Sequence, residues 1–68
     1  MVRVNLEKLV ELREDAKFSI TFVSNELGYK TPTGYWLVEN GQRKVNVDVL
    51  YQLSKLYNVS MNDLLLED

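Results

Sequence analysis

Sixty-eight residues, 46% of them hydrophobic and 26% charged, make one domain near the lower size limit for folding without a covalent or metal staple. Cysteine and histidine are both absent, which excludes disulfides, thiolate zinc sites, imidazole metal ligands and a Ser-His-Asp triad. A net charge of −2 argues against nonspecific polyanion binding, so the distribution of charge matters more than its sum.

Met1 to Val4 is too short to be a signal peptide, and no apolar run approaches the ~20 residues of a membrane span, so a cytoplasmic chain without a membrane partner is expected. Asn5 can cap a first helix over about 6–15, in which Leu6, Leu9, Val10 and Arg13 recur on one stripe and Leu12 borders it. Glu7, Lys8, Glu11 and Glu14 fall mostly on the other face. Asp15 to Lys17 form a connector, and Phe18 stands where a hydrophobic staple would pin the next helix.

Ser19 is a good cap for a second helix over about 20–27, with Phe22 or Val23, Ser24 and Leu27 facing inward and Gly28 ending it. A helix-turn-helix needs a small residue where its second helix crosses the first, and a residue tolerant of positive φ in the turn. Ser24 and Gly28 meet those demands. A third helix over about 32–40 follows, capped by Thr31, opened by Pro32 and closed by Gly41. Its Tyr35 and Val38 turn inward beside Glu39, while Thr33, Trp36, Leu37 and Asn40 lie outward.

The basic loop 42–45 leads to Asn46, the cap of a fourth helix over about 47–57 whose inner stripe is Val47, Leu50, Leu53, Ser54 and Tyr57. Asn58 can take the left-handed conformation that ends it. Ser60 with Asp63 has the form of a capping box for a fifth helix over about 61–66. No strand signal, internal repeat or low-complexity tract interrupts the pattern. The expected fold is all-α, a five-helix bundle forming a single domain over 1–68.

Charge is uneven along this bundle. Residues 29–46 hold Lys30, Arg43 and Lys44 against Glu39, a balance of +2, whereas residues 57–68 hold Asp63, Glu67 and Asp68 and no base, a balance of −3. A nucleic acid should approach the basic end and be repelled by the acidic one. Acidic pairs such as Glu14-Asp15 and Glu67-Asp68 read as exposed charge at helix ends, and nothing supplies a nucleophile with a base. Neither an enzyme nor a cofactor is expected.

The ordered set Leu12-Arg13, Ser19, Val23-Ser24, Leu27-Gly28, Tyr35, Val38-Glu39-Asn40-Gly41, Leu50, Leu53, Val59-Ser60 and Leu64-Leu65 resembles the phage repressor and Cro type of helix-turn-helix domain, the xenobiotic-response-element family. The likeness spans about Leu6 to Leu65. It implies a fold of the lambda-repressor-like type, with the motif in helices two and three, and binding of double-stranded DNA by the third helix in the major groove. It also implies an ion pair between Arg13 and Glu39 that fixes helix three on helix one.

Departures from the family pattern argue against strong, hydrogen-bonded base readout. The second helix starts with Ile20 where many members have a phosphate-binding Gln, the turn after Gly28 is one residue longer than the commonest form, and Pro32, Thr33 and Leu37 stand where polar base readers are usual. Thr31, Thr33 and Leu37 are the base-reading candidates, and Ser19, Lys30, Asn40, Arg43 and Lys44 the phosphate-contact candidates. For the threonines, plain capping competes with DNA contact. Gly34 inside a helix costs ~1 kcal/mol relative to Ala and fits either close approach to DNA or a loose first turn.

Trp36 and Leu37 form an alternative partner face, through which the same fold could bind another regulator protein as an anti-repressor or antitoxin-like module. Leu66 makes Leu64-Leu65-Leu66 one leucine longer than a monomer core needs, which suggests a homodimer contact on the last helix.

Overall fold

The computed structural model describes residues 1–67, and Asp68 of the acidic tail lies outside them. Strand β1 (Val2–Val4) precedes helices α1 (Leu6–Asp15), α2 (Ile20–Glu26), α3 (Thr33–Glu39) and α4 (Val47–Tyr57), then a 3₁₀ turn (Met61–Leu64) and strand β2 (Leu65–Glu67). The strands pair antiparallel, with Val2 opposite Glu67, Arg3 opposite Leu66 and Val4 opposite Leu65.

Local chemistry accounts for both ends of most helices. Asn5, Ser19 and Asn46 accept hydrogen bonds from the amides of Lys8, Phe22 and Val49 at 3.1, 2.9 and 2.8 Å, satisfying donors that have no partner inside the helix. Each helix then closes in the same way, on one residue with positive φ: Lys17 (62°), Gly28 (86°), Gly41 (73°) and Asn58 (56°). The amide after each reaches back five residues, as in Gln42 N–H to Leu37 C=O at 2.9 Å and Tyr29 N–H to Ser24 C=O at 3.0 Å. These are Schellman closures. At Lys17 a residue with a Cβ bears the left-handed strain that glycine would avoid.

Seven hydrophobic residues form the buried centre: Leu9, Val23, Tyr35, Val38, Leu53, Tyr57 and Leu64. They come from all four helices and the 3₁₀ turn, so no element buries its apolar face alone. The buried Tyr35 and Tyr57 hydroxyls share a hydrogen bond of 3.0 Å, which removes the cost of burying either alone.

The C-terminal segment departs from the expected five-helix bundle. The Ser60–Asp63 capping box forms, but the turn it starts is a 3₁₀ turn that stops at Leu64, and Leu65 is already extended at φ −118°, ψ 148°. Leu65 to Glu67 straighten because Val2 to Val4 offer a strand to pair with, and three-residue strands are too short to show an alternating pattern. Leu66 therefore lies on a strand and not on a fifth helix. Val47, expected on the inner stripe of α4, is 73% exposed, and Val49 and Leu50 are the residues of that first turn that pack against the core.

Candidate nucleic-acid interface

Helices α2 and α3 meet at Ser24. Its hydroxyl donates to the Thr31 carbonyl at 2.6 Å and accepts from the Tyr35 amide at 3.2 Å, and the residue is fully buried. A larger side chain would hold the two helices apart. The hydroxyl also fastens both the turn and the second helix to the first, so the motif is joined by hydrogen bonds as well as by packing.

From behind, α3 is held by an ion pair. Arg13 Nε donates to Glu39 Oε2 at 2.7 Å and Nη2 to Oε1 at 3.3 Å, while Nη1 donates to the Phe18 carbonyl at 3.1 Å. The side chains are only 16% and 6% exposed. The Glu39 hydrogen bond pushes the already high pKa of Arg13 upward, outweighing burial, which acts in the opposite sense. Three bonds from one guanidinium thus tie the end of α3 to the end of α1 and to the α1–α2 connector.

With Gly34, Tyr35 and Val38 buried, the opposite side of α3 faces out. Thr33, Trp36 and Asn40 are exposed and Leu37 is half-buried. Trp36 is 46% exposed. Asn40 uses its amide on the helix itself, donating to the Trp36 carbonyl at 2.8 Å. Thr31 and Pro32 are also exposed, but Thr31 does not cap α3 through its side chain: Pro32 occupies the cap position and the Thr31 carbonyl takes the bonds. The helix starts at Thr33, one position later than expected.

Tyr29 is the site residue that the sequence reading missed. A Cβ on Gly34 would lie 2.5 Å from Tyr29 Cγ, so the ring rests directly on the first turn of α3. This accounts for the glycine by intramolecular packing, without DNA and without a loose turn. On this ring stands Arg43, its guanidinium carbon 5.1 Å from the centroid, in cation–π contact. Arg43 follows α3 in the chain, yet it lies beside the turn that precedes α3 and carries Lys30. Among the described residues, no carboxylate pairs with Lys30, Arg43 or Lys44, all of which are exposed. Ser19, also exposed, accepts from the Phe22 amide and keeps its hydroxyl proton available.

A family model described as helix-turn-helix matches residues 9–64, from α1 through the 3₁₀ turn. The chain belongs to the Cro/C1-type helix-turn-helix family. This is a family of DNA-binding regulatory domains, generally non-enzymatic. No curated protein and no solved structure gives a significant match to the chain. Within this helix-turn-helix domain, α2 and α3 are the motif, and β1 and β2 lie outside the matched span. Among the described residues no helix is long and apolar enough to cross a membrane, and no cluster of acidic side chains could hold a metal ion.

Proposed function

We propose that this domain is a sequence-specific regulator of transcription of the repressor or Cro kind, with α3 in the major groove of double-stranded DNA and α2 across the backbone. The observation that carries the reading is the two-sidedness of α3. Its inner side is pinned by Tyr35, Val38, Ser24 and the Arg13–Glu39 pair, and its outer side presents Thr33, Trp36, Leu37 and Asn40. Arg43, seated on Tyr29 next to Lys30, supplies positive charge where the backbone would pass.

In this reading Lys30, Arg43, Lys44, Ser19 and the remaining donor of Asn40 contact phosphate, and Thr31, Thr33 and Leu37 contact base edges and thymine methyls. Titration against a randomised duplex library at two salt concentrations tests it. A selected half-site motif and a falling affinity with salt are the expected result. Binding indifferent to sequence, or absent at low salt, rejects the assignment.

A second reading has its own observation. Trp36 is 46% exposed on the same side where polar base readers are usual, and the chain is acidic overall. These features suit a protein-interaction module that engages another regulator through Trp36 and Leu37. Gel shifts with genomic fragments, paired with a pull-down and repeated with Trp36→Ala, separate the two: a Trp36-dependent protein partner without a shifted fragment favours the second.

A further inference from the structure

We propose that the outward side of α3 selects DNA by the 5-methyl groups of pyrimidines, so that its sites carry thymine, or 5-methylcytosine in its place, where they face Trp36 and Leu37. This rests on the regulator reading and narrows it to one chemical feature of the major groove.

Thr33, Trp36, Leu37 and Asn40 follow the three-and-four spacing that sets side chains one above another on a single helix face. Base pairs are told apart in the major groove in two ways. One is a side chain that bonds two edge atoms at once, as Arg or Lys does with guanine and Asn or Gln with adenine; the other is apolar contact with the thymine methyl. The stripe holds no Arg, Lys or Gln, and its one amide, on Asn40, is drawn back over the last turn of the helix by its bond to the Trp36 carbonyl at 2.8 Å.

Two single hydrogen-bonding groups remain, the Thr33 hydroxyl and the Trp36 indole N–H. Neither discriminates, because every base pair shows a purine N7 acceptor in that groove and a hydroxyl can donate or accept. What is left is carbon: the Trp36 ring, 46% exposed, the half-buried Leu37 and the Thr33 methyl. The groove offers such a surface one apolar partner, the methyl on C5 of thymine. A methyl on C5 of cytosine stands in the same place, whereas uracil and unmodified cytosine carry only hydrogen there. From Thr33 to Leu37 the helix rises ~6 Å, about two base-pair steps, so the stripe reaches methyls on neighbouring pairs.

The flanking charge makes DNA the occupant of this apolar face. Lys30 precedes the helix and Arg43 and Lys44 follow it, all exposed and, among the described residues, without a carboxylate partner. The Tyr29 ring holds Arg43 at 5.1 Å. Cations at both ends of an apolar stripe match a groove with phosphate along its walls and methyl groups on its floor.

The decisive experiment alters the DNA and leaves the protein as it is. A site is selected from a randomised duplex library, and the native chain is titrated by fluorescence anisotropy against that site and against copies with deoxyuridine in place of thymidine. The dissociation constant should rise about fourfold for each methyl removed under the stripe, the fold-change that corresponds to burying one such group. Exchanging a contacted T·A pair for C·G should weaken binding, and 5-methylcytosine at that position should restore part of it. Trp36→Ala and, separately, Leu37→Ala should each shrink the ratio between deoxyuridine and thymidine duplexes, with far-UV circular dichroism checking that the fold is kept. Equal affinity for the two duplexes at a site that is still selected overturns the inference and leaves the regulator reading standing. A deoxyuridine effect undiminished in both variants belongs to the deformability of the DNA and overturns it as well. A chain that binds no duplex and takes a protein partner through Trp36 ends both.

Discussion

At the scale of single residues, Glu39, Gly34 and Tyr29 decide how α3 is held, and Arg43 sets the charge beside it. Removing Glu39 strands the mostly buried Arg13 guanidinium, a loss of ~3 to 5 kcal/mol for a buried pair broken from one side. Glu39→Ala should therefore lower the melting temperature clearly more than Glu26→Ala, whose carboxylate is exposed and unpaired; equal shifts would remove the pair from the account. Gly34→Ala should destabilise by roughly 1 to 3 kcal/mol despite alanine's better helix propensity, because the added carbon meets the Tyr29 ring at 2.5 Å. Unchanged thermal stability would mean that the ring yields freely. Arg43→Ala should weaken binding to all DNA sequences alike and flatten the salt slope by about one unit. Tyr29→Leu should give part of that loss with Lys30 and Lys44 untouched, and a change confined to one operator would contradict a backbone role for either residue.

The tyrosine pair adds a pH dependence of known sign. Burial raises the pKa of Tyr35 well above its ordinary 10, aided by its hydrogen bond to Tyr57, and burial also raises that of Tyr57. The folded chain thus keeps protons that the unfolded chain releases. The associated stability is whole below about pH 10 and is lost as pH rises past it. Urea midpoints between pH 8 and pH 11 should fall more steeply for the native chain than for the double variant Tyr35→Phe, Tyr57→Phe. Parallel curves would show that neither hydroxyl is coupled to folding.

At the scale of elements, the four helix closures differ in chemistry while sharing one geometry. Gly28, Gly41 and Asn58 suit positive φ, and Lys17 does not. Lys17→Gly should gain ~0.5 to 1 kcal/mol, since it relieves strain in the folded state by more than it loosens the unfolded chain. A chemical denaturation curve shifted to lower denaturant would refute this. The caps at Asn5, Ser19, Asn46 and Ser60 could be read directly, because a cap is a contact within three residues and depends on nothing distant. Thr31 could not, because Pro32 takes the cap position and the tertiary bond from Ser24 holds the Thr31 carbonyl. The strands were hidden for a related reason: β1 and β2 are 61 or more residues apart in the chain, and each becomes a strand only because the other is present.

At the scale of the whole molecule, the helix-turn-helix motif and the small sheet are separate pieces of equipment. The motif faces outward through α3, and the sheet brings both ends of the described chain together. Periodicity, caps and closures belong to the order of residues, so the sequence by itself determined four helices, the buried side of α3, and the candidates for its outward side. What joined Arg43 to Tyr29, placed that ring on Gly34 and turned Leu64-Leu65-Leu66 from helix into strand was decided only when distant segments met. Such contacts depend on where the chain returns in space, and no local pattern of residues encodes that position.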